Sequence, residues 1–218
     1  MMKKRIIETN EGIQNQLTVE IFDEFAKQMR DKGWNGVNNF FKTGINKGKI
    51  LEIGPGPGYN GLEWLKKTEN TELVGLEISN NMIKMAEKNA NEYGFSNRVS
   101  YVIGNCLEMP FEANYFDAVI SNGSLHEWEN PIKAINEIYR VLKPNSYFCI
   151  TDMRRNVSPL LKLLVYFSTK PKEMRPGFIS SLNASYTADE LNSIINLSNF
   201  KQFNIVKDPF GLCLSGKK

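Results

Sequence analysis

The feature that most limits what this chain can fold into is a rhythm. From Lys49 onward, short apolar runs alternate with helical stretches, and the first run ends in three glycines. Ile50-Leu51-Glu52-Ile53 reads as a buried strand, followed at once by Gly54-Pro55-Gly56-Pro57-Gly58. Gly61 to Lys67 reads as a helix. Leu73 to Leu76 is a second strand, closed by Glu77. Ser79 then caps a helix bearing Met82, Ile83, Ala86, Ala90 and Tyr93, which Gly94 stops. Val99–Ile103, Phe116–Ser121 and Tyr147–Thr151 are further strands. Asn130-Pro131 opens a helix with Ile132, Ile135, Ile138, Tyr139 and Leu142 inward. Such alternation predicts an α/β fold, a doubly wound and mostly parallel sheet with right-handed crossovers.

Either side of this core the rhythm lapses. Residues 1–17 read as polar and loosely ordered. Thr18 caps a helix through about Asp31, with Val19, Phe22, Phe25, Ala26 and Met29 on one face and Gly33 at its end. A second helical stretch covers 35–44. After Asp152 about 35 residues follow without alternation, punctuated by Pro159, Pro171 and Pro176 and carrying the apolar run Leu160–Phe167. Thr187-Ala188-Asp189-Glu190 is a capping box for a helix with Leu191, Ile194 and Ile195 inward. Two strand-like runs, 203–206 and 211–214, flank a reversal at Asp208-Pro209-Phe210.

Composition excludes several classes. With 218 residues, 41% of them hydrophobic, the chain can bury a full core as one domain. The net charge of +3 is too weak to argue for nucleic acid. The basic spots Lys3-Lys4-Arg5, Arg154-Arg155 and Lys217-Lys218 read as solvated tips. Three scattered cysteines and one histidine offer no zinc-ligand spacing, and no metal is expected. An odd cysteine count with no apolar leader fits a cytoplasmic, reducing compartment. No apolar run approaches the ~20 residues of a membrane span.

Three motifs carry chemistry. Glu52 beneath a GxGxG turn suits a cationic ligand group, and Pro55 and Pro57 remove amide donors that a pyrophosphate cradle would use. Glu77, at the end of the second strand, can accept hydrogen bonds from both hydroxyls of a ribose. After the third strand, Asn105 could meet a purine edge, the Cys106 amide a ring nitrogen, and Leu107 the ring face. Glycine-rich turn, strand end and loop exit also have plain structural readings.

Taken together, residues 49–152 resemble a class I S-adenosylmethionine-dependent methyltransferase of the small-molecule, type 11 group. Arg140-Val141-Leu142-Lys143-Pro144 and the turn Asn145-Ser146, in place of a glycine pair, strengthen the likeness. The resemblance implies a Rossmann-like, seven-stranded sheet with a C-terminal antiparallel strand. It implies that Glu52, Gly54, Gly56 and Gly58 line the methionine site, that Glu77 binds the ribose, and that Ile78 packs on the adenine. Asn105, Cys106 and Leu107 frame the base, with Asn105 replacing the usual aspartate, and Asn122 contacts the cofactor near the sulfonium. It also divides the single domain into an N-terminal helical lid (1–46), a cofactor core (47–152), a lid insert (153–186) and a C-terminal helix and hairpin (187–218).

In-line methyl transfer needs no catalytic side chain unless the acceptor must lose a proton. His126, in Ser124-Leu125-His126-Glu127-Trp128, is the candidate base; with Trp128 it could equally wall the methionine pocket. Phe22, Phe25, Trp34, Phe40, Phe41 and the Leu160–Phe167 stripe are either core or the lining for a partly apolar small-molecule acceptor. In the lining reading Arg154, Arg155 and Arg175 meet an acidic group on it. Docking on a membrane surface is a further use for the stripe. Two rival functions stay open, a non-catalytic S-adenosylmethionine-binding protein and an NAD-dependent oxidoreductase.

Overall fold

The computed structural model describes residues 4–8 and 11–218. Lys3 of the N-terminal basic run lies outside the described residues. Seven strands form one sheet: β1 (Lys49–Ile53), β2 (Glu72–Glu77), β3 (Val99–Ile103), β4 (Phe116–Asn122), β5 (Leu142–Met153), β6 (Gln202–Lys207) and β7 (Gly211–Lys217). Their order is β3-β2-β1-β4-β5-β7-β6. β1 to β5 run parallel, and β7 is antiparallel to both its neighbours. The direction of winding reverses between β1 and β4, so a crevice opens there at the carboxyl ends of the strands.

The helices are α1 (Gln16–Asp31), α2 (Val37–Lys42), α3 (Tyr59–Lys66), α4 (Asn80–Glu92), α5 (Pro131–Val141), α6 (Pro159–Ser168), α7 (Met174–Ala184) and α8 (Ala188–Asn196). Both sheet faces are covered, which is why the inner strands are apolar throughout and do not alternate. On one face Ile50, Leu73 and Ile120 pack with Phe40 of α2, Leu62 and Leu65 of α3 and Ala90 of α4. The Trp64 indole lies in the same cluster and donates to the Ile45 carbonyl at 2.9 Å. On the other face Leu51, Val119, Phe148 and Ile150 pack with Ile135 and Ile138 of α5 and Leu191 and Ile195 of α8.

Most expected elements are present; the differences have local causes. Asn15 caps α1 and Thr18 does not: the Asn15 side chain accepts the Thr18 N–H at 3.2 Å, placing Thr18 in the first turn. On that helix only Val19 is fully buried. α3 starts two residues early because Gly58, at φ +88°, serves as its cap. β5 begins at Leu142, running through the Asn145 turn, where Asn145 adopts φ +67° as its residue type permits. Residues 4–8 and 11–15 are tied down: Ile6 N–H reaches the Asn183 carbonyl at 3.2 Å, and Ser79 Oγ donates to the Ile13 carbonyl at 2.6 Å.

Phe148 is fully buried, its ring 4.3 Å from that of Phe200 between centroids. Phe148→Ala is expected to cost about 3–5 kcal/mol in denaturant unfolding. The same truncation at Phe167, 59% exposed, should stay within about 0.5 kcal/mol.

Candidate functional site

The glycine-rich turn at the end of β1 is built on left-handed backbone. Gly54 has φ +63°, and a Cβ there would lie 2.7 Å from Ser124 Cβ; Gly58, at +88°, would meet the Tyr101 hydroxyl at the same distance. This shape turns the Gly56 N–H onto the Glu77 carboxylate, which accepts it at 3.1 Å. The other oxygen of Glu77 accepts the N–H groups of Ile78 at 2.9 Å and Ser79 at 3.1 Å. Burial raises the Glu77 pKa against these bonds. The amide nearest the turn's centre is thus already given to an anion, and a pyrophosphate placed there would face a carboxylate.

Glu52 sits beneath the turn, 1% exposed. It accepts a hydrogen bond from the Gly61 backbone, while its Oε2 has no partner. Gly61 leaves no room for a Cβ beside that oxygen. Burial, reinforced by the charge of Glu77, pushes Glu52 up to about 8. The buried Tyr101 hydroxyl is also without a partner, and burial with the charge of Glu52 pushes it up.

Along the β2 and β3 ends, Ile78 and Asn105 line an open recess with Glu11 and Gln14. The Asn105 side-chain oxygen, expected to face a base, accepts the Leu107 N–H at 2.9 Å. Cys106 and Leu107 pack against the core edge, and burial pushes the Cys106 thiol up to about 12. Asn122 ends β4, where its side-chain oxygen accepts the Thr151 hydroxyl at 2.7 Å. A larger recess on the outer side of α5 contains none of the expected site residues.

His126 lies on a 3-10 turn, Leu125–Glu127, and is 4% exposed. Its backbone N–H donates to Asp152 Oδ2 at 2.8 Å, and its Nδ1 lies 2.9 Å from the same oxygen. Nε2 faces Glu8 at 3.5 Å and Glu127 at 4.0 Å. Burial opposes the imidazolium, but the charge and hydrogen bond of Asp152, with Glu127 and Glu8, outweigh it and raise His126 to about 9. Burial likewise lifts Glu127 to about 7, against the pull of His126. Glu8, His126 and Glu127 bring ligand atoms within 4.8 Å of one another, the arrangement among the described residues that could hold a metal ion.

Sequence reasoning missed Asp152, Glu127 and Glu8 as site members. Asp152 alone had a signal: it lies near the carboxyl end of β5, one residue beyond Thr151, the register partner of Asn122. The arginines were misread. Arg5 is no solvated tip; it donates to the carbonyls of Ala184 and His126 and lies 4.2 Å over the Tyr186 ring. Arg155 pairs with Glu190, and Arg175 holds the Phe167 carbonyl at 3.0 Å, so both are engaged within the fold. Leu160, Leu163, Leu164 and Phe167 are exposed to solvent and are not core. Trp128 packs in the core.

The raised groups act with one sign on stability. His126, above its ordinary 6.5, stabilises fully below that value and ceases to as pH passes about 9. Glu127 and Glu52, above their ordinary 4.5, lose stability as pH climbs through about 7 and about 8. The unfolding midpoint of the ligand-free protein should therefore fall between pH 6 and pH 9. Glu52→Gln should flatten that fall; an equal slope in the variant would show that Glu52 does not titrate there.

Residues 51–150 match the family model of a methyltransferase domain. An uncharacterized methyltransferase of Bacillus subtilis, YdaC, is 30% identical over 180 residues, covering 81% of this chain and 87% of that one. A demethylmenaquinone methyltransferase of Bacteroides fragilis is 19% identical over 232 residues, with 94% and 93% covered. A candidate S-adenosyl-L-methionine-dependent methyltransferase from Methanococcus maripaludis has the same fold, with a TM-score of 0.75 at 22% identity over 99% and 97% of the two chains. With this kinship, the chain belongs to the class I S-adenosylmethionine-dependent methyltransferases.

Proposed function

We propose that this methyltransferase acts on a small, partly apolar acceptor carrying an ionisable hydroxyl, of the quinol class. The observation that carries the cofactor half of this reading is the Glu77 carboxylate bonded to Gly56 N–H beside the unpartnered oxygen of Glu52. Two buried carboxylates with raised pKa values are short of positive charge, which suits a donor bearing a sulfonium and an ammonium. The quinol half is supported by the full-length likeness to a demethylmenaquinone methyltransferase.

S-adenosylmethionine, when bound, supplies a methyl group already activated on sulfur. In this reading Glu52, Gly54, Gly56 and Gly58 hold its methionine part, Glu77 and Ile78 its ribose and adenine face, and Asn105, Cys106 and Leu107 its base. Asn122 lies near the sulfonium. The segment 1–46 and the insert 153–186 act as lids over the core. The chain's remaining work is to align the acceptor, exclude water and take up its proton. His126 Nε2 is the acceptor of that proton, with Asp152 fixing Nδ1. A pKa of about 9 keeps His126 protonated at neutral pH; a cation bound nearby lowers that value and frees the base.

S-adenosylhomocysteine at ~100 times its dissociation constant should stabilise the protein by about 2.7 kcal/mol, roughly 5–10 °C, and NAD should not. Glu77→Ala should weaken that binding about tenfold or more; unchanged affinity removes Glu77 from the ribose site.

With a naphthoquinol acceptor, methylated product should form. His126→Ala should lower kcat by about 10²-fold or more and leave S-adenosylhomocysteine affinity intact. Equal turnover would make His126 a wall of the pocket. Absence of product from both naphthoquinol and benzoquinol would remove the quinol class alone.

A further inference from the structure

α6 presents its apolar stripe to solvent. Leu160, Leu163, Leu164 and Phe167 fall at i, i+3, i+4 and i+7, the spacing of a core-facing stripe, yet each is more than half exposed. No residue of the helix is fully buried, and its main neighbour is α7. The orientation is fixed at both ends. Ser158 caps the helix by accepting the Leu161 N–H at 3.3 Å, and Pro159 opens it. Beyond its last turn, Arg175 donates to the Phe167 carbonyl, and its guanidinium lies 5.3 Å over the Tyr166 ring.

The flanks of this stripe are cationic. Residues 159–175 carry Lys162, Lys170, Lys172 and Arg175 against the single acid Glu173. Lys170 and Lys172 are exposed just past the helix end. A short helix with leucines and a phenylalanine on one side, a lysine on the other and exposed lysines just past its end has the makeup of an element that lies in a membrane interface.

We propose that α6 seats the protein on an anionic lipid surface, with Leu160, Leu163, Leu164 and Phe167 entering the headgroup boundary and Lys170 and Lys172 meeting lipid phosphates. A bilayer supplies an apolar layer and a negative surface together. A second copy of the same face would set lysine against lysine. Four side chains on a ten-residue helix also fall short of the ~800 Å² per partner that a stable dimer buries. The inference stands apart from the acceptor's identity, because surface binding needs neither donor nor acceptor.

The full chain is to be sedimented with vesicles of phosphatidylcholine alone and with vesicles containing about 30% phosphatidylglycerol. It should pellet with the anionic vesicles, be released by high salt, and stay in solution with the neutral ones. Leu163→Ser/Leu164→Ser should lower the bound fraction about tenfold while keeping the unfolding temperature and S-adenosylhomocysteine affinity of the parent. Lys170→Gln and Lys172→Gln should each weaken partitioning about fivefold. Failure of the parent chain to pellet with anionic vesicles would overturn the proposal, as would equal pelleting with both kinds or undiminished binding by the leucine variant. A dimer in sedimentation velocity that the leucine variant dissociates would give this face to a second copy, and would overturn it too.

Discussion

The hydrogen bond from Gly56 N–H to the Glu77 carboxylate decides the sign of the site. The carboxyl edge of a parallel α/β sheet, ringed by helix N-termini, ordinarily attracts anions. Here β1 and β2 each contribute a carboxylate at that edge, Glu52 and Glu77, and the glycine-rich turn folds back onto one of them. The turn is therefore held by the protein's own negative charge, and no free cradle of amides remains at Gly56. Burial leaves both acids reluctant to ionise, so a ligand that brings positive charge relieves a cost of burying them.

A second cluster repeats that logic with the charges nearly balanced. His126 is enclosed by Asp152, Glu127 and Glu8. Arg5, on the same N-terminal segment as Glu8, holds the His126 carbonyl. Residues 4–8 thus bring one acid and one base to a single turn after β4. The imidazole is fixed at Nδ1 by Asp152 and faces Glu8 and Glu127 at Nε2, an arrangement compatible with the proposed base role. Its raised pKa makes base action conditional: the site must gain positive charge before His126 gives up its proton near neutral pH.

The core was legible because its signals are local. Strand runs, the Ser79 and Asn130 caps, the Thr187 capping box and the glycines of the turn each act within a few residues. What escaped depends on contacts distant in sequence. Asp152 reaches His126 across 26 residues, and Arg5 reaches Ala184 across 179. The Asn15 cap escaped for a different reason. Thr18 and Asn15 are both good capping residues, and the choice rests on which side chain the first turn's amides meet. The α6 stripe had the right periodicity and the wrong side: spacing shows that a helix has an apolar face, and only packing shows whether anything covers it.

The insert carries two different surfaces on adjacent helices, and their order matters. α7 packs on the turn that carries His126, and α6 packs on α7. The exposed leucines are thus one helix removed from the proton-holding cluster, with α7 between them. A lipid surface engaged by α6 fixes how the protein lies without reaching Glu52, Glu77 or His126. Surface binding and cofactor binding are accordingly separable in this architecture. Loss of the stripe leaves the buried carboxylates as they are, and neutralising Glu52 or Glu77 leaves the stripe as it is. That separation follows from burial alone: Glu52, Glu77 and His126 are enclosed by the sheet and its helices, while the stripe residues of α6 rest against α7 and face outward.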